Sequence, residues 1–316
     1  MSEPMSPERT KLRYLFVHAH PDDETLATGV ALATLRRRGH DVRVLTCTLG
    51  EEGEIIPPEL AHLAADRDDT LGPYRRGELR AAMARLDVHE HVLGEDPETL
   101  TGSAFRDSGM ADTAANADPR SWVAADEDAA VRAVAEIVTR LRPDVVVTYD
   151  AQGGYLHPDH VTVHRRVRSA VAGLRAVERP ALYVVLIPAD RAAADRAWVA
   201  ENVPPETGLT ILGPDEPYPP AVVDPALVTH EIAGEQADLR ARDEALLAHA
   251  TQVTLYDGYF ALSNDIAARL PSSDYFAGLD PQTGALRPGA GDVRVLGLPG
   301  GPRASGACDP TLDERR

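Results

Sequence analysis

The sequence predicts an α/β protein built on a Rossmann-like, doubly wound and mostly parallel sheet with long active-site loops. Short β-branched runs alternate with helical patterns through the first 200 residues. The strand candidates are continuously apolar, which is typical of strands that helices cover on both faces. Two acidic, glycine-bearing loops interrupt the alternation at residues 50–73 and 94–126. Loops of this length inside a compact domain are usually functional lids or disordered segments.

Each element has its own signal in the chain. Residues 14–17 (YLFV) form a buried-strand candidate, and residues 27–38 form a helical pattern that ends at Gly39, since glycine is favoured just past a helix C-terminus. Apolar residues at helical spacing predict the helix over 127–141. The other predicted elements are a strand over 41–48, a helix that includes 78–86, a strand over 145–149, a helix over 158–171 and a strand over 181–187.

The pattern divides the chain into four segments. Residues 1–10 are expected to be a flexible N-terminus, and residues 11–200 are expected to form the α/β catalytic domain. After residue 200 the pattern weakens, and 201–280 is predicted to be a smaller C-terminal part packed on the same domain, with a helix over 234–250. Residues 281–316 are rich in glycine and proline and are predicted to be a partly disordered tail.

Composition excludes several classes of protein. The 316 residues carry a formal net charge of −18, which disfavours binding to nucleic acid. No run approaches the roughly 18 apolar residues that span a bilayer, and the N-terminus lacks a signal-peptide core. Cys47 and Cys308 are the only cysteines, so neither a disulfide framework nor a zinc ribbon is predicted. We expect a cytoplasmic protein that binds no membrane. A homo-oligomer is compatible with the sequence.

Two strand ends carry an unusual density of polar side chains. The first strand ends in HAHPDDE (18–24), and the strand over 145–149 leads into GYLHPDH (154–160). Ligand sites in open α/β sheets lie beyond the carboxyl ends of the strands. Both segments contain His-Pro-Asp followed by another residue of a metal-ligating type. Together they predict a hydrolytic metal site.

The spacing within the two segments suggests a role for each residue. A catalytic zinc takes three protein ligands and leaves a fourth position for water, and His20, Asp23 and His160 supply such a set. Asp22 is then placed to take a proton from that water. His157, three residues before His160, can donate a proton to a leaving group, with Asp159 or another carboxylate orienting it. These roles predict hydrolysis rather than simple binding.

Other interpretations remain open at this point. An aspartate after a proline is most often a helix N-cap, and His18 and His164 fit structural roles. Two histidines and a carboxylate also describe non-haem Fe(II) oxygenases, although those sites usually lie on a β-sandwich. A non-catalytic sugar-binding protein is a remote alternative, and it predicts the loss of Asp22 or His157. The sequence contains no GxGxxG motif, P-loop or nucleophile elbow.

The paired motifs HAHPDDE and GYLHPDH resemble the zinc-dependent N-acetylglucosaminyl de-N-acetylase superfamily. The strings TCTLGEEGE, YRRGEL, FRDSGM, VVVTYD and HATQVT are most similar to its mycothiol-biosynthesis branch, the N-acetylglucosaminyl-inositol deacetylases. The likeness runs from about Arg13 to about Leu279. It implies hydrolysis of the acetamide of N-acetylglucosaminyl-inositol, a small-molecule amino-sugar substrate, to glucosaminyl-inositol and acetate.

The resemblance also implies a role for each matching residue. The ligands of one Zn²⁺ per subunit, with Fe²⁺ possible in cells, would be His20, Asp23 and His160. Asp22 would be the general base, and His157 would be the general acid or electrostatic stabiliser, tuned by Asp159. Tyr155 would polarise the acetyl carbonyl. The contacts to sugar hydroxyls would be made by Arg75, Asp107 and Glu54. The mycothiol S-conjugate amidases share this catalytic set. The segment 25–29 lacks the lysine that is typical of that branch, which favours the deacetylase.

Overall fold

The computed structural model describes residues 11–96, 98 and 102–287. The predictions made for residues 1–10 and for 288–316 lie outside the described residues. In the part of the chain that the structure describes, no helix is both long and apolar enough to cross a membrane.

Five parallel strands form one side of the main sheet and run to its edge at the third of them in chain order. They are β1 (Arg13–His18), β2 (Asp41–Thr46), β3 (His89–Val92), β4 (Val145–Thr148) and β5 (Ala181–Pro188). Their spatial order is β5-β4-β1-β2-β3, so the chain reverses its winding direction between β1 and β4. This reversal is the topological switch point at which open α/β sheets bind ligands. The predicted doubly wound α/β fold is confirmed.

The helices lie on both faces of this sheet. They are α1 (Asp23–Arg37), α2 (Leu71–Leu86), α3 (Glu127–Leu141), α4 (Gly153–Leu156, a single irregular turn), α5 (Pro158–Gly173), α6 (Ala189–Asn202) and α7 (Gln236–Leu246). Successive residues of a strand point to opposite faces. In β1, Tyr14 and Phe16 therefore join the core with α1 and α2, while Leu15 and Val17 join the core with α3 and α5.

Three details differ from the sequence prediction. Helix α1 begins at Asp23, directly after the polar segment that follows β1, rather than at residue 27. Its first turn therefore includes Asp23 and Glu24. Helix α6 has no counterpart among the predicted elements, and the predicted helix over 234–250 is shorter in the structure as α7.

Residues beyond 200 extend the same sheet. The added strands are β6 (Val222–Val223), β7 (His230–Ala233), β11 (Ser273–Leu279) and β12 (Leu286–Arg287), while β8 (Thr254–Leu255), β9 (Tyr259–Ala261) and β10 (Ala268–Arg269) form a separate small sheet. Strand β11 pairs antiparallel with β5, and α7 packs against α1 and α2. The C-terminal part is thus built onto the edge of the catalytic sheet.

A buried carboxyl joins this added edge to α1. The Asp274 side chain of β11 is buried and accepts a hydrogen bond of 2.7 Å from the backbone N–H of Ala31. Burial raises the pKa of Asp274 to about 7. The folded state therefore holds this proton more tightly than the unfolded chain does. The stabilisation from that proton is present below about pH 4 and is lost as the pH rises through about 7.

We predict that Asp274→Asn removes this pH dependence, because the amide oxygen can still accept the Ala31 hydrogen bond without carrying a charge. Between pH 5 and pH 8, the free energy of unfolding of the wild type should fall by about 3 kcal/mol relative to that of the variant. Urea unfolding of both proteins at the two pH values measures the difference. Parallel pH dependences would contradict the assignment.

Candidate active site

The two polar segments meet at the carboxyl edge of the sheet because β1 and β4 are neighbours. The register pairs Phe16 with Val147, so both strands end at the same level. The rings of His20 and His160, which lie 140 residues apart, have centroids 5.2 Å apart, and the ring of His157 lies 4.7 Å from that of His20.

Three ligand-type atoms form an equilateral triangle. The His20 Nδ1 to Asp23 Oδ2, His160 Nε2 to Asp23 Oδ2 and His160 Nε2 to His20 Nδ1 distances are each 3.3 Å. Ligand atoms bound to zinc at about 2.0–2.1 Å with tetrahedral angles lie about 3.3 Å from one another. The predicted ligand set therefore fits a tetrahedral divalent ion by its spacing and by its N, N, O chemistry.

A neighbouring aromatic ring orients two of these ligands. The Tyr149 ring stacks on His160 at 4.2 Å between centroids, and its hydroxyl accepts a hydrogen bond of 2.8 Å from Ala19 N–H and contacts Asp23. His160 Nδ1 lies 3.1 Å from the carbonyl oxygen of Gly153. That contact holds the proton on Nδ1 and leaves the Nε2 lone pair for a metal.

Asp22 occupies a strained turn between β1 and α1. Its φ angle is 127°, in a region of backbone conformation that residues other than glycine rarely adopt. The Arg75 guanidinium donates hydrogen bonds to the Pro21 carbonyl at 2.5 Å, to the Gly50 carbonyl at 2.8 Å and to the Asp22 carboxylate at 3.2 Å. Burial raises the pKa of Asp22 to about 6, against the opposing charge of Arg75. These properties suit a general base.

The position of Arg75 differs from the sugar contact that the resemblance implied. Its side chain is buried, and it donates hydrogen bonds to the carbonyl of Pro21, directly before Asp22, and to the carbonyl of Gly50 at the start of the first long loop. Arg75 therefore positions the loop that carries Asp22. A positively charged side chain beside a carboxylate base also explains why the pKa of Asp22 is not raised further by burial.

His157 is the N-cap of α5, and its ring is neutral. Its Nδ1 accepts a hydrogen bond of 3.2 Å from the backbone N–H of Asp159. Burial, followed by the rings of His20 and His160, lowers the pKa of His157 to about 3. Because Nδ1 is the acceptor, the ring proton of the neutral tautomer lies on Nε2. His157 is thus suited to donate a hydrogen bond to an oxyanion rather than to act as a proton-bearing imidazolium.

The Asp159 carboxylate contacts a different histidine from the one expected. Its Oδ2 lies 3.2 Å from His20 Nε2 and accepts a hydrogen bond of 2.9 Å from Ser108 N–H. Its hydrogen bond with His157 is made by the backbone N–H of Asp159 rather than by the carboxylate. In the structure α5 directs this carboxylate towards Nε2 of His20, and an orienting contact with His157 stays a prediction.

Asp107 reaches the same nitrogen from the second long loop. Its Oδ1 lies 3.3 Å from His20 Nε2 and accepts a hydrogen bond of 2.8 Å from Gly109 N–H, and its Oδ2 accepts one of 3.1 Å from Glu52 N–H. The residue is 4% exposed. Burial opposes its charge, but His20 and Gly109 outweigh this and hold the pKa of Asp107 well below its usual range. This geometry differs from the expected sugar contact.

Tyr155 and Glu54 lie farther out. The Tyr155 side chain is 52% exposed, with its ring 5.0 Å from that of His160 between centroids. Glu54 is exposed and lines a cavity of about 360 Å³ along the first long loop, together with Glu52, Ile55 and Arg67. The structure thus places Tyr155 at the mouth of the metal triangle and Glu54 in an adjacent, acidic cavity.

Sequence reasoning did not single out a buried ion pair beneath Asp22. His249 Nε2 lies 3.0 Å from Glu24 Oε1, and both side chains are fully buried. The other Glu24 oxygen accepts a hydrogen bond of 3.1 Å from the backbone N–H of Asp22. Burial disfavours a charge on His249, but Glu24 outweighs it and raises the pKa of His249. The signal for this pair in the sequence was the final Glu of HPDDE together with the His of HATQVT.

The structure gives His18 and His164 structural contacts. His18 Nε2 lies 3.1 Å from the Thr28 hydroxyl inside the core, and burial lowers the pKa of His18 to about 4. His164 Nδ1 lies 2.8 Å from the Tyr149 carbonyl oxygen. Neither ring belongs to the triangle of ligand atoms.

Comparisons with known proteins place the chain in a family. The profile of the family described as "PIG-L: GlcNAc-PI de-N-acetylase" matches residues 15–171. A 1D-myo-inositol 2-acetamido-2-deoxy-α-D-glucopyranoside deacetylase from Streptomyces scabiei (strain 87.22) is 43% identical over 293 residues, which cover 87% of this chain and 86% of the relative. A protein of the same name from Rhodococcus opacus (strain B4) is 45% identical over 276 residues, covering 84% and 90%.

A solved structure also matches. It is a deacetylase–bog complex from the teicoplanin biosynthesis pathway, with 18% identity, a TM-score of 0.48 and coverage of 85% of this chain and 99% of that chain. The fold, the site and the sequence relatives define a hydrolytic N-deacetylase. The chain belongs to the GlcNAc-PI de-N-acetylase (PIG-L) family.

We predict that His249→Leu destabilises the protein by about 3–5 kcal/mol, because it leaves the Glu24 charge buried without a partner of opposite charge. The double variant Glu24→Gln, His249→Leu should recover most of this loss, since the amide oxygen still accepts the Asp22 hydrogen bond. Urea unfolding measures both. His62→Leu, at an exposed histidine, is the matched control and should change stability little; equal effects at positions 62 and 249 would contradict the buried pair.

Proposed function

We propose that the protein hydrolyses the acetamide of 1D-myo-inositol 2-acetamido-2-deoxy-α-D-glucopyranoside to glucosaminyl-inositol and acetate, a step of mycothiol biosynthesis. The observation that carries the chemistry is the 3.3 Å triangle of His20, Asp23 and His160 beside Asp22. The substrate is supported by relatives that bear this substrate's name and match more than four fifths of this chain.

The proposed metal is zinc, with His20, Asp23 and His160 as its ligands. A bound zinc ion lowers the pKa of a coordinated water to about 7 and polarises a carbonyl oxygen. Two imidazole nitrogens and one carboxylate oxygen also suit Fe²⁺, so iron remains an alternative in cells. We further propose a cytoplasmic location, which the buried free thiol of Cys47 supports.

Asp22 is the proposed general base. Its carboxylate lies next to the ligand Asp23, and Arg75 holds it in one orientation at 3.2 Å. The Asp22 side chain is still 13% exposed, so a water molecule can reach it. It accepts a proton from the attacking water as the new C–O bond forms. When the C–N bond breaks, the same proton passes to the departing amine, since the neutral His157 does not carry an extra one.

His157 and Tyr155 are proposed to stabilise the oxyanion. The Nε2–H of His157 is free to donate because its Nδ1 is held by the α5 backbone. Tyr155 keeps its phenolic proton at neutral pH and lies at the mouth of the site, within 6.0 Å of His157 between ring centroids. Donors aimed at the developing negative charge are typically worth about 10²–10³ in kcat each. Glu54 stays a proposed sugar contact.

We predict that Asp22→Asn lowers kcat by at least about 10² and leaves the zinc content unchanged, because Asn keeps the shape and tolerates the positive φ angle. Asp23→Ala should instead lose the metal, because it removes one corner of the triangle. Turnover measured with metal analysis of the same samples separates the two effects. A zinc-free or fully active Asp22→Asn protein would refute the assignment of Asp22.

The substrate is tested with purified protein of known metal content. It is offered N-acetylglucosaminyl-inositol and, separately, a bimane conjugate of mycothiol, and release of primary amine is followed. We expect rapid release from the first and little from the second. The reverse result would overturn the deacetylase proposal in favour of the S-conjugate amidase. Release from neither compound by zinc-loaded protein would overturn the proposed substrate and point to another N-acyl sugar.

A further inference from the structure

We propose that Asp107 and Asp159 are positioning residues that act jointly on His20 and thereby set the affinity of the site for its metal. This inference rests on the metal site of the proposed function. It gives both aspartates a role different from those that family resemblance implied.

The two nitrogens of His20 face different groups. Nδ1 lies in the triangle with Asp23 and His160, whereas Nε2 lies 3.3 Å from Asp107 Oδ1 and 3.2 Å from Asp159 Oδ2. The two aspartates are 4% and 0% exposed. The ring thus connects the proposed ion to two negative charges on its opposite edge, out of contact with bulk water.

Backbone amides hold both carboxylates in place. Ser108 N–H donates to Asp159 Oδ2, Gly109 N–H donates to Asp107 Oδ1, and Glu52 N–H donates to Asp107 Oδ2. Asp107 therefore has both oxygens engaged by backbone amides, in addition to the contact of Oδ1 with His20. Its geometry favours a function directed inward, towards the ring.

The Asp159 carboxylate has an unsatisfied oxygen. Among the described residues, its Oδ1 is buried and has no hydrogen-bond partner. A buried charge with few donors interacts strongly with those it has. On its other oxygen these are Ser108 N–H at 2.9 Å and His20 Nε2 at 3.2 Å. His20 is the side chain of this pair, so it is the group through which Asp159 acts on the metal site.

The chemistry follows from the tautomer. A neutral histidine that binds a metal through Nδ1 must carry its proton on Nε2, where a carboxylate accepts it. That hydrogen bond fixes the ring orientation and makes Nδ1 a stronger ligand, and removing such a partner typically lowers metal affinity about 10- to 100-fold. Here two carboxylates share one N–H, so their contributions should be coupled.

The test measures zinc binding directly. Metal-free full-length protein is titrated with Zn²⁺ against a chromophoric chelator, for the wild type, Asp107→Asn, Asp159→Asn and the double variant. We expect the Kd to rise about 10- to 100-fold in each single variant and by less than the product in the double variant. Asp112→Asn is the matched control, because it removes one charge from an exposed position in the same loop.

Each outcome distinguishes the inference from the proposed function. A wild type that binds no zinc overturns both. Tight binding by the wild type and by both single variants overturns only the inference, and a higher KM for Asp107→Asn at unchanged zinc affinity would assign this residue to the sugar. If the variants do not fold, ¹⁵N-imidazole NMR of the zinc-loaded wild type decides. An exchange-protected, downfield His20 Nε2–H supports the inference, and its absence overturns it.

Discussion

The parallel pairing of β1 with β4 is the constraint on which the rest of the site depends. The metal-ligating segments follow these two strands directly, so a shift of one residue in their register would move His20 away from His160. Side chains reinforce the pairing beyond the ladder, since the Thr148 hydroxyl donates to the Val17 carbonyl at 3.1 Å. All four residues of β4 are buried, as expected for a strand that helices cover on both faces.

The strained turn at Asp22 shows how the surroundings maintain an unfavourable backbone. A non-glycine residue in such a conformation costs about 1–3 kcal/mol. Arg75 of α2 donates to the Pro21 carbonyl just before Asp22 and to the Asp22 carboxylate, and Glu24 of α1 accepts the Asp22 N–H. The base is therefore fixed by contacts from two helices, and the same guanidinium holds the Gly50 carbonyl at the start of the first long loop.

The sequence was sufficient for those parts of the site that lie next to recognisable strand ends. His20, Asp23 and His160 were accessible because strand identity and residue chemistry are both local signals. The partners of Asp107 and Asp159 could not be predicted from the sequence, since they depend on how a loop of about 30 residues packs over α5. Arg166 of α5 anchors that loop through the carbonyls of Trp122 and Ala125. His249 and the antiparallel β11 were also missed, because long-range pairing leaves no periodic trace.

The contribution of the C-terminal part has a consequence for the order in which the enzyme matures. Parallel strands β1 to β5 and all of the proposed metal ligands are complete once residue 188 has been synthesised. The partner of Glu24 arrives only with His249, and the edge that meets α1 arrives with Asp274. A chain still attached to the ribosome therefore holds a complete ligand set before His249 and Asp274 are present to contact α1. We expect metal binding and activity to follow only after the last third of the protein has added its strands to the edge of the sheet.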